Sequence, residues 1–135
     1  MCEIIKKIKG ISKLYHATGC TTRQLKEAQN TLNIEFPDEF IDYVREYGVI
    51  SFYGTEWTGL NVDGYLNVVE VTQQERELNE AFPPDCFVIE NQGIDGLMTI
   101  VNEEGTVFSF QYGKKEALCE SLTDYLDMCI SRKKY

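Results

Sequence analysis

The spacing of hydrophobic residues changes period at Gly48, and that change limits the folds open to this chain. Before it, apolar residues recur every three to four positions, as on one face of a helix. Ile4, Ile5, Ile8, Ile11 and Leu14 predict an amphipathic helix over residues 4–15 with a lysine-bearing outer face, weakened by Gly10. In "TGCTTRQLKEAQNTL", Thr21 and Gln24 form a capping box, and Leu25, Ala28 and Leu32 make the apolar stripe of a second helix ending near Asn33. "IEFPDEFIDYVREYG" predicts a third helix, with Pro37 at its first position, Asp38 and Glu39 in the first turn where the helix dipole favours acids, and Gly48 as the stop. Its Phe40, Ile41, Val44 and Tyr47 gather on one side, and Asp38, Glu39, Asp42 and Glu46 on the other.

After Gly48 the apolar residues run continuously or alternate. "VISFY", "LNVVEV", "CFVIE", "LMTIVN" and "TVFSFQY" are rich in β-branched and aromatic residues and predict strands, the first two bounded by glycines including Gly54, Gly59 and Gly64. Thr72 and Glu75 read as a capping box that starts a polar helix ended by Pro83 and Pro84. "NEEG" is a hairpin connection with Gly105 as its left-handed residue, and Gly93 and Gly96 around Asp95 make a turn before a strand. A last helix starts near Ser121, with Leu122, Tyr125, Leu126, Cys129 and Ile130 inward and "RKK" at its C-terminal end. Hairpin-length connections exclude most parallel crossovers. The expected fold is therefore α+β: a mainly antiparallel sheet of about five to six strands covered by helices.

Charge is segregated along the chain. Between Glu27 and Gly113 there are 17 acids and two bases, Arg45 and Arg76, a net of −15 within a total of −9. Such a middle repels nucleic acid and anionic membrane and attracts a cationic partner at long range; solubility alone is the plainer reading of the same imbalance. No apolar run approaches the length of a membrane span, and lysines interrupt "MCEIIKKIKGISKLY", so a cytoplasmic protein is expected.

The residues required for catalysis are sparse. The five cysteines, Cys2, Cys20, Cys86, Cys119 and Cys129, form no C-x-x-C pair; Cys86 and Cys129 are expected in the core and Cys2 and Cys20 at the surface. His16, the only histidine, sits four residues from Cys20, but two ligands make no metal site. Phosphate-loop and nucleophile-elbow patterns are absent. The expectation is no enzyme, no catalytic residue, no metal and no cofactor, although paired carboxylates leave a hydrolytic or small-ligand domain as a third reading.

The succession "NIEFPDEFIDYVREYG", "EWTGL", "PPDCFVIENQGIDGLMTIVNEEGTVFSF" and "SLTDYLDMCI" resembles the SUKH superfamily, and specifically its Smi/Knr-type branch. The resemblance covers residues 21–131, the core of a single domain 1–135 in which residues 1–20 supply a basic helix and connection. Asn33 stands where the family often has glycine. The resemblance implies an α+β domain and, for many bacterial members, an immunity protein that neutralises a toxin domain, often a nuclease; for some eukaryotic members it implies a regulatory scaffold. On this reading Pro37, Gly48, Gly59, Gly96 and Gly105 are backbone devices. The partner is a basic toxin domain, with no nucleic acid or membrane bound. Candidate contacts are Glu56, Trp57, Asp63, Glu75, Glu77, Asp85 and Glu90, or the stripe Asp38, Glu39, Asp42 and Glu46. Trp57, the only tryptophan, is read as core or as an interface anchor. Oligomeric state is not readable from the sequence.

Overall fold

The computed structural model describes residues 3–93 and 95–132. In order, its elements are α1 (Glu3–Lys9), β1 (Tyr15–His16), α2 (Thr22–Leu32), α3 (Asp38–Tyr47), β2 (Ile50–Phe52), β3 (Thr55–Trp57), a short 3-10 helix (Gly64–Leu66), α4 (Val68–Leu78), β4 (Cys86–Asn91), β5 (Met98–Asn102), β6 (Val107–Gln111), β7 (Lys114–Cys119) and α5 (Leu122–Ser131). The α+β class and the antiparallel pairing agree with the sequence reading. The strands, however, number seven among the described residues and divide into two sheets, β1-β2-β3 and β4-β5-β6-β7.

The four-stranded sheet is covered on both faces. Along β4, Phe87 and Ile89 enter the main core with residues of α1, α2, α3 and α5, while Cys86 and Val88 join a second cluster with Val71 of α4, Phe82, Met98, Ile100 and Phe110. Burial on both sides is why "CFVIE" reads as an unbroken apolar run. The N-terminal helix docks on α3 and α5 through buried Ile4, Ile5 and Ile8. It ends at Lys9, short of the expected residue 15, as Gly10 allows.

Several local expectations give way to tertiary context. "LNVVEV" is the start of α4 and not a strand: Asn67 caps it by accepting from Val69 N–H and Glu70 N–H, and Val68, Val71 and Thr72 fall on its buried face at helical spacing. Thr72 is thus no cap. It lies inside the helix, and its hydroxyl accepts the backbone N–H of Val88 on β4 at 3.1 Å. Pro37 is the N-cap of α3, one position earlier than expected. Strands β1 and β3 are too short for a periodic signal, and β7 is an edge strand exposed along nearly its whole length, so it lacks alternation. Two-residue turns at Tyr53–Gly54 and Tyr112–Gly113, with positive φ at all four residues, connect β2 to β3 and β6 to β7.

Cys86 and Cys129 are buried as expected. Cys20 is buried too, because its backbone N–H bonds Val44 O at 2.9 Å and draws it against α3. Cys2, Lys133 and Lys134 lie outside the described residues. His16 and Cys20 do not share a helical turn: His16 is on β1, with its ring edge-on to Tyr47.

Candidate partner-binding surface

Three of the expected contact residues are turned into the protein. Trp57 is 0% exposed, edge-on to Tyr43 at 5.4 Å and stacked with Tyr125 at 6.0 Å, so the core reading holds and the anchor reading is set aside. Glu90 is 5% exposed. An irregularity between Val88 and Glu90 shifts the register of β4 against β5 and sets Glu90 opposite Thr99, on the face where Tyr125 lies, so its carboxylate points inward.

Glu39 leaves the acidic stripe of α3 for a structural role. Its two carboxylate oxygens accept the backbone N–H of Leu122 at 2.9 Å and of Thr123 at 3.1 Å, and also the Thr123 hydroxyl. Ser121 Oγ accepts from Asp124 N–H, and Ser121 O accepts from Tyr125 N–H. Three orphan donors at the start of α5, the N–H groups of Leu122, Thr123 and Asp124, are therefore satisfied, two of them by a carboxylate placed at the positive end of the helix dipole, and the Tyr125 bond is the first within the helix. Glu39→Ala is expected to lower stability by about 2 kcal/mol, measured by urea unfolding, with the largest loss of amide-exchange protection in the first turn of α5. Asp38 and Glu46 stay exposed and Asp42 is half-buried.

The other acids fall into two groups. Glu75, Glu77 and Asp85 lie on the far half of α4 and the loop after Pro83 and Pro84, where Arg76 Nη2 donates to Pro84 O at 3.0 Å. Glu75 is half-buried, and desolvation raises its carboxyl above the ordinary range. Asp63 lies instead in a region between α2 and α4, together with Glu27 and Glu70, and Glu56 is linked to that loop from β3 through Tyr65. Glu56, exposed on β3, accepts from the Tyr65 hydroxyl at 3.0 Å, and Glu70 of α4 accepts from Gly64 N–H at 3.1 Å.

A groove of about 440 Å³ runs between these elements. Its apolar floor includes Ala28, Leu60, Val62 and Val69, and its rim carries Glu27, Asp63 and Glu70, with no lysine, arginine or histidine among the described residues that line it. Arg23 pairs with Glu27 at 3.1 Å from outside the groove, in an exposed i,i+4 bridge of small energetic weight. Tyr65, 71% exposed beside Glu56, adds an aromatic of the kind that anchors interfaces.

The walls are held rigidly. Asn61, with φ +64°, uses its side-chain carbonyl to accept from Gln24 Nε2 at 3.1 Å and its amide to donate to Thr18 O at 3.1 Å. Behind it the backbones of Gly59 and Gly48 touch: a Cβ on Gly59 would lie 1.7 Å from Gly48 O. Leu60 N–H bonds that same Gly48 O at 3.0 Å, and Val68 N–H bonds Gly59 O at 2.9 Å. The loop from 58 to 67 is thus pinned at both ends, and the groove is preformed.

Sequence reasoning missed Glu27, Tyr65 and Glu70 as contact candidates. The signal for Glu70 was present: Asn67 followed three residues later by Glu70 is a helix-start pattern, obscured by the run of valines. Glu27 and Tyr65 carried no comparable signal. Among the described residues no group of three or more His, Cys, Asp or Glu is placed to hold a metal ion, and no helix is long and apolar enough to cross a membrane.

Comparison with known proteins agrees with this architecture. The SUKH_5 family model, described as SMI1-KNR4 cell-wall, matches residues 1–131. No curated protein matches the chain. With the match spanning all but the last few residues, the chain belongs to the SMI1-KNR4 cell-wall family of SUKH domains.

Proposed function

We propose that this protein is a cytoplasmic immunity protein that binds a cognate toxin domain through the acidic groove between α2 and α4 and covers the toxin's basic active-site surface. The observation that carries the reading is the convergence of Glu27, Asp63 and Glu70 on a preformed groove with no basic residue among the described residues that line it, on a domain of this family. A nuclease must present cationic surface to bind phosphates, so an inhibitor that offers carboxylates at a fixed geometry competes for the same surface. The apolar floor accommodates the aliphatic stems of lysine or arginine while the rim carboxylates receive their heads. Nothing in this scheme requires chemistry from the protein itself: it acts by occupying space and matching charge. Glu56 and Tyr65 extend the contact beyond the groove.

The test is co-expression with the toxin domain that the gene immediately upstream is expected to encode. Cells carrying both proteins are expected to grow, and the purified pair to co-elute. Equal killing with and without this protein rejects the pairing. Family membership also supports a regulatory scaffold that meets other partners, and a metabolic gene neighbourhood with no toxin would favour that alternative.

A further inference from the structure

The most completely buried charge among the described residues is outside the groove. Glu90 sits where the end of β4, β3 and α5 converge, and its carboxylate is fully engaged: Oε1 accepts from the Tyr125 hydroxyl at 2.5 Å, and Oε2 accepts from Arg132 Nη2. The network continues inward, with Thr99 Oγ1 at 2.9 Å from the Tyr125 hydroxyl and Gln92 Nε2 donating to Thr99 at 3.2 Å. Cys129 Sγ lies 3.9 Å from Glu90 Oε1, its thiol pushed up to about 11 by burial first and by the carboxylate second. Arg132 is the residue just after α5. Its guanidinium also reaches Thr55 Oγ1 at 3.3 Å and stands 5.9 Å from the Tyr125 ring centroid.

This seat is shaped for a planar cation. It offers a buried carboxylate, a hydroxyl acceptor and an aromatic ring, surfaces that a planar, forked guanidinium matches better than a compact ammonium. Arg132 fills it incompletely: its Nε is buried without a hydrogen-bond partner, its side chain remains 31% exposed, and a cavity of about 110 Å³ lined by Thr55, Glu56, Glu90, Asn91 and Gln92 adjoins it. We propose that this pocket is a guanidinium-binding site occupied in cis by Arg132, so that the C-terminal end of α5 acts as a releasable clasp joining α5 to β3 and β4. Removing the arginine leaves a vacant site with a buried carboxylate that has lost its counter-charge, and an external guanidinium of the right shape refills it.

The experiment is chemical rescue of Arg132→Ala in the full chain. The variant is expected to melt roughly 10 °C below the parent, since breaking a buried ion pair from one side is costly and this one is partly solvated. Guanidinium chloride at tens of millimolar, far below its denaturing range, is expected to raise the midpoint of Arg132→Ala by a few degrees, while sodium chloride and methylammonium chloride at equal concentration do not. The parent and the Arg132→Ala/Glu90→Gln double variant are expected to show no such rise. An Arg132→Ala midpoint within about 2 °C of the parent, or an equal response to all three salts, overturns the proposal. If Arg132→Ala does not fold, Arg132→Lys replaces it: faster amide exchange in the last turn of α5, slowed again by guanidinium, supports the site, and exchange unaltered from the parent contradicts it.

Discussion

Gly59→Ala is expected to destabilise the protein by about 3–5 kcal/mol, a large share of what holds a domain of this size folded. The cause is a backbone crossing with no room for a methyl group. The new Cβ would meet Gly48 O at 1.7 Å and Gly48 C at 2.8 Å, and neither is the yielding end of a side chain. Relief by shifting the loop is blocked, because Gly59 N–H is bonded to Leu66 O at 2.8 Å and Gly48 O already accepts from Leu60 N–H. Gly96→Ala provides the contrast. Gly96 has positive φ, +74°, but a Cβ there meets no atom of the described residues within 4 Å, so the left-handed backbone penalty of about 1 kcal/mol is the expected cost. Urea unfolding of both variants checks the difference, and equal midpoints would show that the crossing is not close. Because the same crossing pins the loop that carries Asn61 and Asp63, a Gly59→Ala protein that still folds is expected to bind its partner poorly.

Asp63→Lys combined with Glu70→Gln is expected to slow association with the toxin by about 10- to 100-fold, with a smaller change in dissociation. Asp63 is exposed and can be reversed without touching the core, and Gln at position 70 keeps an acceptor for Gly64 N–H while losing its charge. The control is Asp38→Lys with Glu46→Lys on α3, which changes net charge at least as much on a different face. A control that weakens binding as strongly as the groove variant would move the interface to α3.

How much of this was legible in the sequence depends on where each signal resides. Helices α2, α3 and α5 announce themselves through local chemistry, such as the Thr21–Gln24 capping box and the Ser121 cap, and these local devices are present in the folded chain. The start of α4 was misread because Val68, Val69 and Val71 carry β propensity, and the deciding contacts, Thr72 to Val88 and Val71 to the second core cluster, come from strands further along the chain. Strand β7 was invisible because an edge strand in "KKEALC" gains its order from pairing with β6, which no periodicity records.

The surface was legible in sum and not in detail. Counting acids and bases gives the net charge of a span, but charge along a chain says nothing about which carboxylates face one another. Glu39 and Glu90 look like surface acids in sequence; one caps a helix more than eighty residues away and the other is turned inward where β4 slips in register. Conversely, Glu27 and Glu70 are distant in sequence and line one groove only because α2 packs on α4.

The central claim, that a preformed negative groove captures a cation-rich protein, is tested most directly by the association rate of the purified toxin and this protein across an ionic-strength series. Steep slowing from low to physiological salt, with a shallower slope for Asp63→Lys/Glu70→Gln, is the predicted result. A rate independent of salt, or identical slopes for the two proteins, would contradict it.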